Sequence, residues 1–289
     1  MKTLKSCRRL NRTCKNKKES CQSDSVFINR VVNDGKHLVS SWLKEVEHVK
    51  EFIDKTPMKT SRQLNSDMYM KVDLGKNNGG KLLLYFAANP GNNIKMRRSK
   101  EAYGSFKNSG VIKLDENGKG ILKMKCPQCY IRKCKKEAFY KHVHFCLSDK
   151  EKTKWNYSLY TKLVICHYDY KKMMRLHKNG NIVLINSLPC EYYGKDHIPN
   201  SYNLPTNRIK TMKEGELIEW FKYVVKHHYP RLENMISRKK VSYYELPIVV
   251  YCAHKGCSAS HDAVIELLKK GFVNVSEYKG GMKEYLMKR

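Results

Sequence analysis

The stretch Leu246-Pro-Ile-Val-Val-Tyr-Cys252-Ala-His-Lys-Gly-Cys257-Ser-Ala-Ser260 carries the reading of this chain. A proline leading an apolar run with β-branched residues reads as a buried strand. The strand ends on Cys252, passes through a short loop with Gly256, and enters a helix at Ser258-Ala-Ser260. Cys252 is thereby placed at the carboxyl end of a strand, where open α/β sheets bind their ligands. Loop amides and the start of the next helix would hold an anion there and lower the thiol pKa. That is a nucleophile's position.

Working outward, three ordered segments resemble the rhodanese-like (thiosulfate sulfurtransferase) superfamily. Gly180-Asn-Ile-Val-Leu-Ile-Asn-Ser-Leu-Pro189 is similar to its first core strand. Glu191-Tyr-Tyr-Gly-Lys-Asp-His197-Ile-Pro-Asn-Ser-Tyr-Asn-Leu-Pro205 is similar to its next motif. Val249 to Ser258, then Gly271-Phe-Val-Asn-Val and Tyr278-Lys-Gly-Gly281, look like the active-site loop and the closing strand-turn. The resemblance implies an α/β rhodanese-like domain over residues 175–289, needing no cofactor. It implies that Cys252, as thiolate, takes the outer sulfur of thiosulfate or a persulfide donor and passes it to a thiol acceptor. Ala253, His254, Lys255, Gly256, Cys257 and Ser258 would form the loop that cradles the sulfur. His197 reads as a structural turn residue.

The departures point to a second reading. Asn186, Ser187 and Leu188 stand where the family commonly has Asp-Val-Arg, and Cys257 stands where a loop arginine often lies. His254 and Lys255 could replace the arginine's charge, and Cys257 could resolve a persulfide or pair with Cys252. Without the arginine and the strand acid, the domain could instead be a catalytically silent module that recognises a protein partner.

Charge and cysteine content set further bounds. The 289 residues include 57 Lys and Arg against 27 Asp and Glu, a formal net charge of +30. The excess is lysine-rich and diffuse, and no RNA-recognition, helix-turn-helix or P-loop pattern accompanies it. It suits a solvated surface, or non-specific contact with nucleic acid or another polyanion. A nucleic-acid-associated zinc protein is thus a third function class. No apolar signal segment follows Met1 and no apolar run is long enough to span a bilayer, so no membrane partner is expected. The eleven cysteines then read as thiols, metal ligands or catalytic groups of a reducing compartment, the cytosol, or a virion were the chain viral.

Ahead of the C-terminal domain, residues 1–25 read as a basic disordered tail. Residues 26–57 carry an amphipathic helical pattern, and residues 65–168 read as a β-rich, sandwich-like domain. Its strands are expected at 81–88, 140–145 and 160–166, with a hairpin of 110–114 and 120–124 around Asn117-Gly118.

That domain holds a second cluster: Cys126-Pro-Gln-Cys129-Tyr130, Cys134, His142-Val-His144 and Cys146. Cys126, Cys129, Cys146 and the two histidines, which alternate onto one face of a strand, suit zinc because thiols are soft ligands. Pro127-x-x-Tyr130 with His142-x-His144 also resembles intradiol ring-cleavage dioxygenases. That resemblance implies ferric iron held by Tyr130, His142, His144 and a further tyrosine, Tyr103 or Tyr85. Strand residues packed without metal are the third alternative.

Overall fold

The computed structural model describes residues 38–39, 48–61, 65–91, 94, 96–131, 138–238 and 240–289. The expected tail with Cys7, Cys14 and Cys21, most of the 26–57 helical segment, and Cys134 lie outside the described residues. From that segment, the helix Val49–Lys55 buries Val49 and Ile53 in the core of the β-rich region.

The β-rich region is built around one antiparallel five-stranded sheet. Its order is β1 (Leu38–Val39), β10 (Tyr160–Leu163), β9 (His142–Leu147), β3 (Leu82–Ala87) and β5 (Ser109–Lys113). β9 and β3 are buried along their whole length, as central strands covered on both faces should be. A second layer pairs β2 (Met68–Asp73) with β6 (Lys119–Met124). A third, short sheet orders β4 (Arg97–Arg98), β7 (Tyr130–Ile131) and β8 (Ala138–Phe139).

The expected hairpin is half right. The turn forms, with Gly118 at φ 76 and its N–H on Asp115 O at 3.0 Å. Beyond it the strands part: β5 pairs with β3, while β6 pairs with β2. Packing drives the separation. A Cβ on Gly120 would lie 2.6 Å from Ile112 Cδ1 and 3.0 Å from Leu114 Cδ2, so β6 meets the side chains flanking β5 face to face. A turn joining two layers builds a sandwich rather than a ribbon.

The C-terminal region is a parallel sheet ordered β12 (Tyr202–Asn203), β11 (Val183–Asn186), β13 (Ile248–Tyr251) and β14 (Val275–Tyr278). β11, β13 and β14 are buried at every position, the pattern of a parallel sheet covered by helices on both faces. The helix Glu214–His228 contributes Leu217, Phe221, Val224 and Val225 at helical spacing, and Ala259–Lys269 contributes Ala263, Val264, Leu267 and Leu268.

The two regions share their cores. Contact runs along β14 and the helix beside it. Lys141, 3% exposed, donates from Nζ to Ser276 Oγ at 2.7 Å and to Val275 O at 3.3 Å. The Tyr140 hydroxyl donates to Leu268 O at 3.3 Å. A disulfide joins Cys126 to Cys166, which corrects the expectation of a metal ligand at Cys126 and of a thiol at Cys166.

Candidate active site

Cys252 follows β13 directly, and the loop after it folds back over the sulfur. The fully buried Cys252 Sγ lies 3.1 Å from Ser260 Oγ, 3.5 Å from Cys257 O and 3.9 Å from His254 O. From the far side, Met282 N–H donates to Cys252 O and Lys283 N–H to Ala253 O, both at 2.9 Å. These donors open the helix Gly281–Lys288, which pins the loop's first residues.

The loop differs in detail from its sequence reading. Cys257 N–H is bonded to His254 O at 2.9 Å and Gly256 N–H to His254 Nδ1 at 3.2 Å, so these two amides are committed inside the loop. His254, Lys255, Gly256 and Ser258 are exposed, Ala253 and Cys257 half-buried. The thiol pKa is raised, not lowered. Burial is the largest cause and Cys257 adds to it, while the Ser260 N–H pulls the other way. Taking a thiolate out of water outweighs the helix start.

This site lies in a segment whose family is recognisable. A profile of the rhodanese-like domain matches residues 169–288. The C-terminal part of this protein is a rhodanese-like domain. Among solved structures, the human single-domain sulfurtransferase is similar at 18% identity, covering 44% of this chain and 99% of its own, with a TM-score of 0.32. A single-domain sulfurtransferase from Saccharomyces cerevisiae is similar at 17% identity, covering 43% and 91%, with a TM-score of 0.31. An uncharacterized protein from the same yeast is similar at 20% identity, covering 43% and 92%, with a TM-score of 0.30. A search of curated proteins finds no match.

The rhodanese-like site includes two residues that sequence reading missed. In the sequence Ser260 reads only as a helix start, and Glu277 is not singled out. Ser260 Oγ, 3.1 Å from the sulfur, donates to Glu277 Oε1 at 2.7 Å. A glutamate at the centre of the fully buried run Val275–Tyr278 was the available signal, because an acid rarely sits in such a strand without a partner. His197 lies just beyond the helix Cys190–Lys195 rather than in a turn, its Nδ1 3.0 Å from Tyr193 O and its ring stacked on Tyr193.

The residues proposed from sequence as metal ligands separate. Cys126 is in the disulfide. The Cys129 thiol donates to Val273 O at 3.3 Å, facing the rhodanese-like domain, and burial pushes it up to about 11. Cys146, on the same face of β9 as the histidines, is pushed up to about 12 by burial. Among the described residues no group of three or more His, Cys, Asp or Glu side chains is gathered as a metal site. The soft-ligand argument for zinc lapses with the thiols.

The histidines instead meet two tyrosines. His142 Nε2 is 3.1 Å from Tyr103 Oη, from Tyr130 Oη and from His144 Nε2. All four residues are buried. Tyr85, the other tyrosine considered, is elsewhere; its hydroxyl donates to Lys123 O at 2.6 Å. The remaining imidazole nitrogens are engaged, His142 Nδ1 2.6 Å from Tyr140 O and His144 Nδ1 2.8 Å from Thr161 Oγ1. Burial holds His144 far below its ordinary pKa and Tyr103 far above.

This donor set fits a metal. Ligands about 2.0–2.1 Å from a tetrahedral ion lie about 3.3 Å from one another, close to the separations seen here. Each imidazole is also held by a partner on its other nitrogen, as metal-binding histidines are.

Proposed function

We propose that this protein is a sulfurtransferase that forms a persulfide on Cys252. The observation that carries the reading is the position of Cys252 in a rhodanese-like domain: its sulfur sits at the strand end, wrapped by the loop and touching the Ser260 hydroxyl. The thiolate attacks the outer sulfur of thiosulfate or a persulfide donor. Sγ bonds that sulfur, and the donor's S–S bond breaks with its electron pair on the departing fragment, sulfite in the case of thiosulfate. A thiol acceptor then takes the outer sulfur and returns Cys252 to the thiolate. Cys257, half-buried and acting on the Cys252 thiol, would affect the persulfide's fate rather than its formation.

The test is intact mass after incubation with thiosulfate, before and after a reductant. A gain of one sulfur, reversed by reductant, is expected for wild type and Cys257→Ser and lost in Cys252→Ser. Full transfer by Cys252→Ser overturns the assignment. No persulfide from any of several donors favours the partner-recognising module.

The convergence of Tyr103, Tyr130, His142 and His144 favours a second activity. The β-rich region would hold a metal through these four side chains, and the tyrosine oxygens, which would lose their protons on binding, would favour ferric iron over zinc as hard donors. Bound there, the ion would act as a Lewis acid toward an oxygen-bearing ligand. The protein's own part is to keep the four donors converged and dry. Elemental analysis with visible absorption decides it. Iron with a tyrosinate charge-transfer band that shifts in Tyr103→Phe is expected; metal-free protein without colour rejects it.

A further inference from the structure

Glu277 is fully buried on the sheet's edge strand β14, a costly place for an ionised carboxylate unless charge and hydrogen bonds meet it. Its two oxygens are met differently: Oε1 accepts the Ser260 hydroxyl at 2.7 Å, while Oε2 makes no hydrogen bond and lies at ion-pair distance from His167 Nδ1 (3.1 Å) and His261 Nδ1 (3.7 Å). Burial alone would raise the Glu277 pKa; His167, His261 and Ser260 together outweigh it and hold it below the usual carboxylate range. The same contact raises the His261 imidazole above its ordinary value against partial burial. The two histidine side chains are 39% and 42% exposed. An unbroken line of contacts therefore runs from solvent-facing imidazoles, through a buried acid and a buried hydroxyl, to the Cys252 sulfur.

Anchoring the chain at His167 would explain the outer half of this line. It does not explain why the hydroxyl bound to the acid also touches Sγ. We propose that Ser260, Glu277 and the His167–His261 pair are the proton route of Cys252, keeping it a thiol at rest and removing its proton when it attacks. This rests on the sulfurtransferase reading. Ser260 commits its one proton to Glu277, so its oxygen turns a lone pair toward the thiol, and a hydrogen bond donated by the neutral form opposes ionisation. In the attack, the Sγ proton passes to Ser260 Oγ while the Ser260 proton passes to Glu277 Oε1. Glu277, turning its carboxyl, hands that proton to a facing imidazole Nδ1 that carries none, and the sulfur keeps the electron pair that bonds the donor's outer sulfur. When Cys252 departs from the persulfide, the proton returns along the same line. Ser260 touches the reacting atom and is catalytic in this scheme; Glu277, His167 and His261 are positioning residues. The other titratable neighbours are Cys257 beside Cys252, and Lys279 and Asp262, which act on His261 in opposite directions.

The test follows iodoacetamide alkylation of Cys252 in the full chain from acid to alkaline pH, resolved by peptide mass spectrometry. Glu277→Gln removes the acid that holds the Ser260 proton, so the thiol midpoint should fall by about one pH unit and neutral-pH alkylation rise about tenfold. Persulfide formation from thiosulfate should slow at least about tenfold in the same variant and recover in part in Glu277→Asp. An unchanged or raised midpoint in folded Glu277→Gln overturns the proposal. Should Glu277→Gln not fold, Ser260→Ala and the surface change His261→Gln carry the test, and profiles superimposable on wild type overturn it. Alkylation needs no sulfur donor. A wild type that forms no persulfide therefore defeats the sulfurtransferase reading while the profiles still decide the route. Normal transfer with coincident profiles defeats the route alone.

Discussion

The structure buries Cys252 completely and raises its pKa, whereas Cys190 is exposed. Access and thiolate content both govern alkylation, and both count against Cys252 at neutral pH. The sign follows from the direction of the shift. A raised thiol is more fully protonated at any pH below its midpoint, so the rate at Cys252 should climb steeply only as pH becomes alkaline. Peptide-resolved alkylation at neutral pH should find Cys190 modified before Cys252, with Cys252 gaining relative to it as pH rises. Cys252 labelled first at neutral pH would mean that the buried geometry does not represent its resting state.

At the scale of elements, the strand–loop–helix around Cys252 was legible because it is local. Leu246 to Ser260 dictates a buried strand, a short loop and a helix by composition alone, and strand β13 and the helix Ala259–Lys269 fall where that pattern puts them. The Cys252–Ser260–Glu277 line was not legible, because it is made by the pairing of β13 with β14, and pairing is a long-range fact. The split hairpin failed for the same reason: Asp115 to Gly118 encodes its turn, but the partners of the strands it joins are chosen by packing between layers. Tyr103 lies 39 residues from His142 in sequence and was only one of two candidates until the fold brought it to the histidines.

Another element acts on the site from behind. Gly281, at φ 62, starts the helix whose amides hold the Cys252 and Ala253 carbonyls, and a Cβ there would lie 2.5 Å from Cys252 O. Gly281→Ala should destabilise the protein by about 1–3 kcal/mol, from left-handed strain plus displacement of the loop. A urea titration measures the loss, and Cys252 alkylation should change with it. An unaltered alkylation rate would show that the loop is held without this helix.

For the whole molecule, the two regions behave as one body because charge and cores cross between them. Lys141 is buried where β8 and β9 meet β14, and its ammonium is held by Ser276 and Val275. Lys141→Ala should cost about 1–3 kcal/mol, the range for leaving a buried hydrogen-bond partner unsatisfied. The two regions should still unfold together, observed as coincident fluorescence and circular-dichroism transitions. Separate transitions with unchanged stability of the C-terminal part would count against a shared core. The net charge of +30 makes a different prediction. Binding to DNA should be insensitive to sequence and collapse with added salt, because diffuse lysines displace counterions without reading bases. A preference of about a hundredfold for one sequence at moderate salt would contradict it.

His167 has a consequence for where this protein can be cut. The recognisable family segment begins at residue 169, yet His167 precedes it and its imidazole sits on Glu277. Backbone bonds on either side, Glu277 N–H to Cys166 O and Tyr168 N–H to Glu277 O, clamp it there. A fragment excised at the family boundary would keep the nucleophile, its loop and Ser260 but leave the buried acid short of one of its two imidazoles. The smallest transplantable piece with intact wiring therefore begins upstream of the domain, inside a stretch whose neighbour Cys166 is tied to Cys126 in the other half.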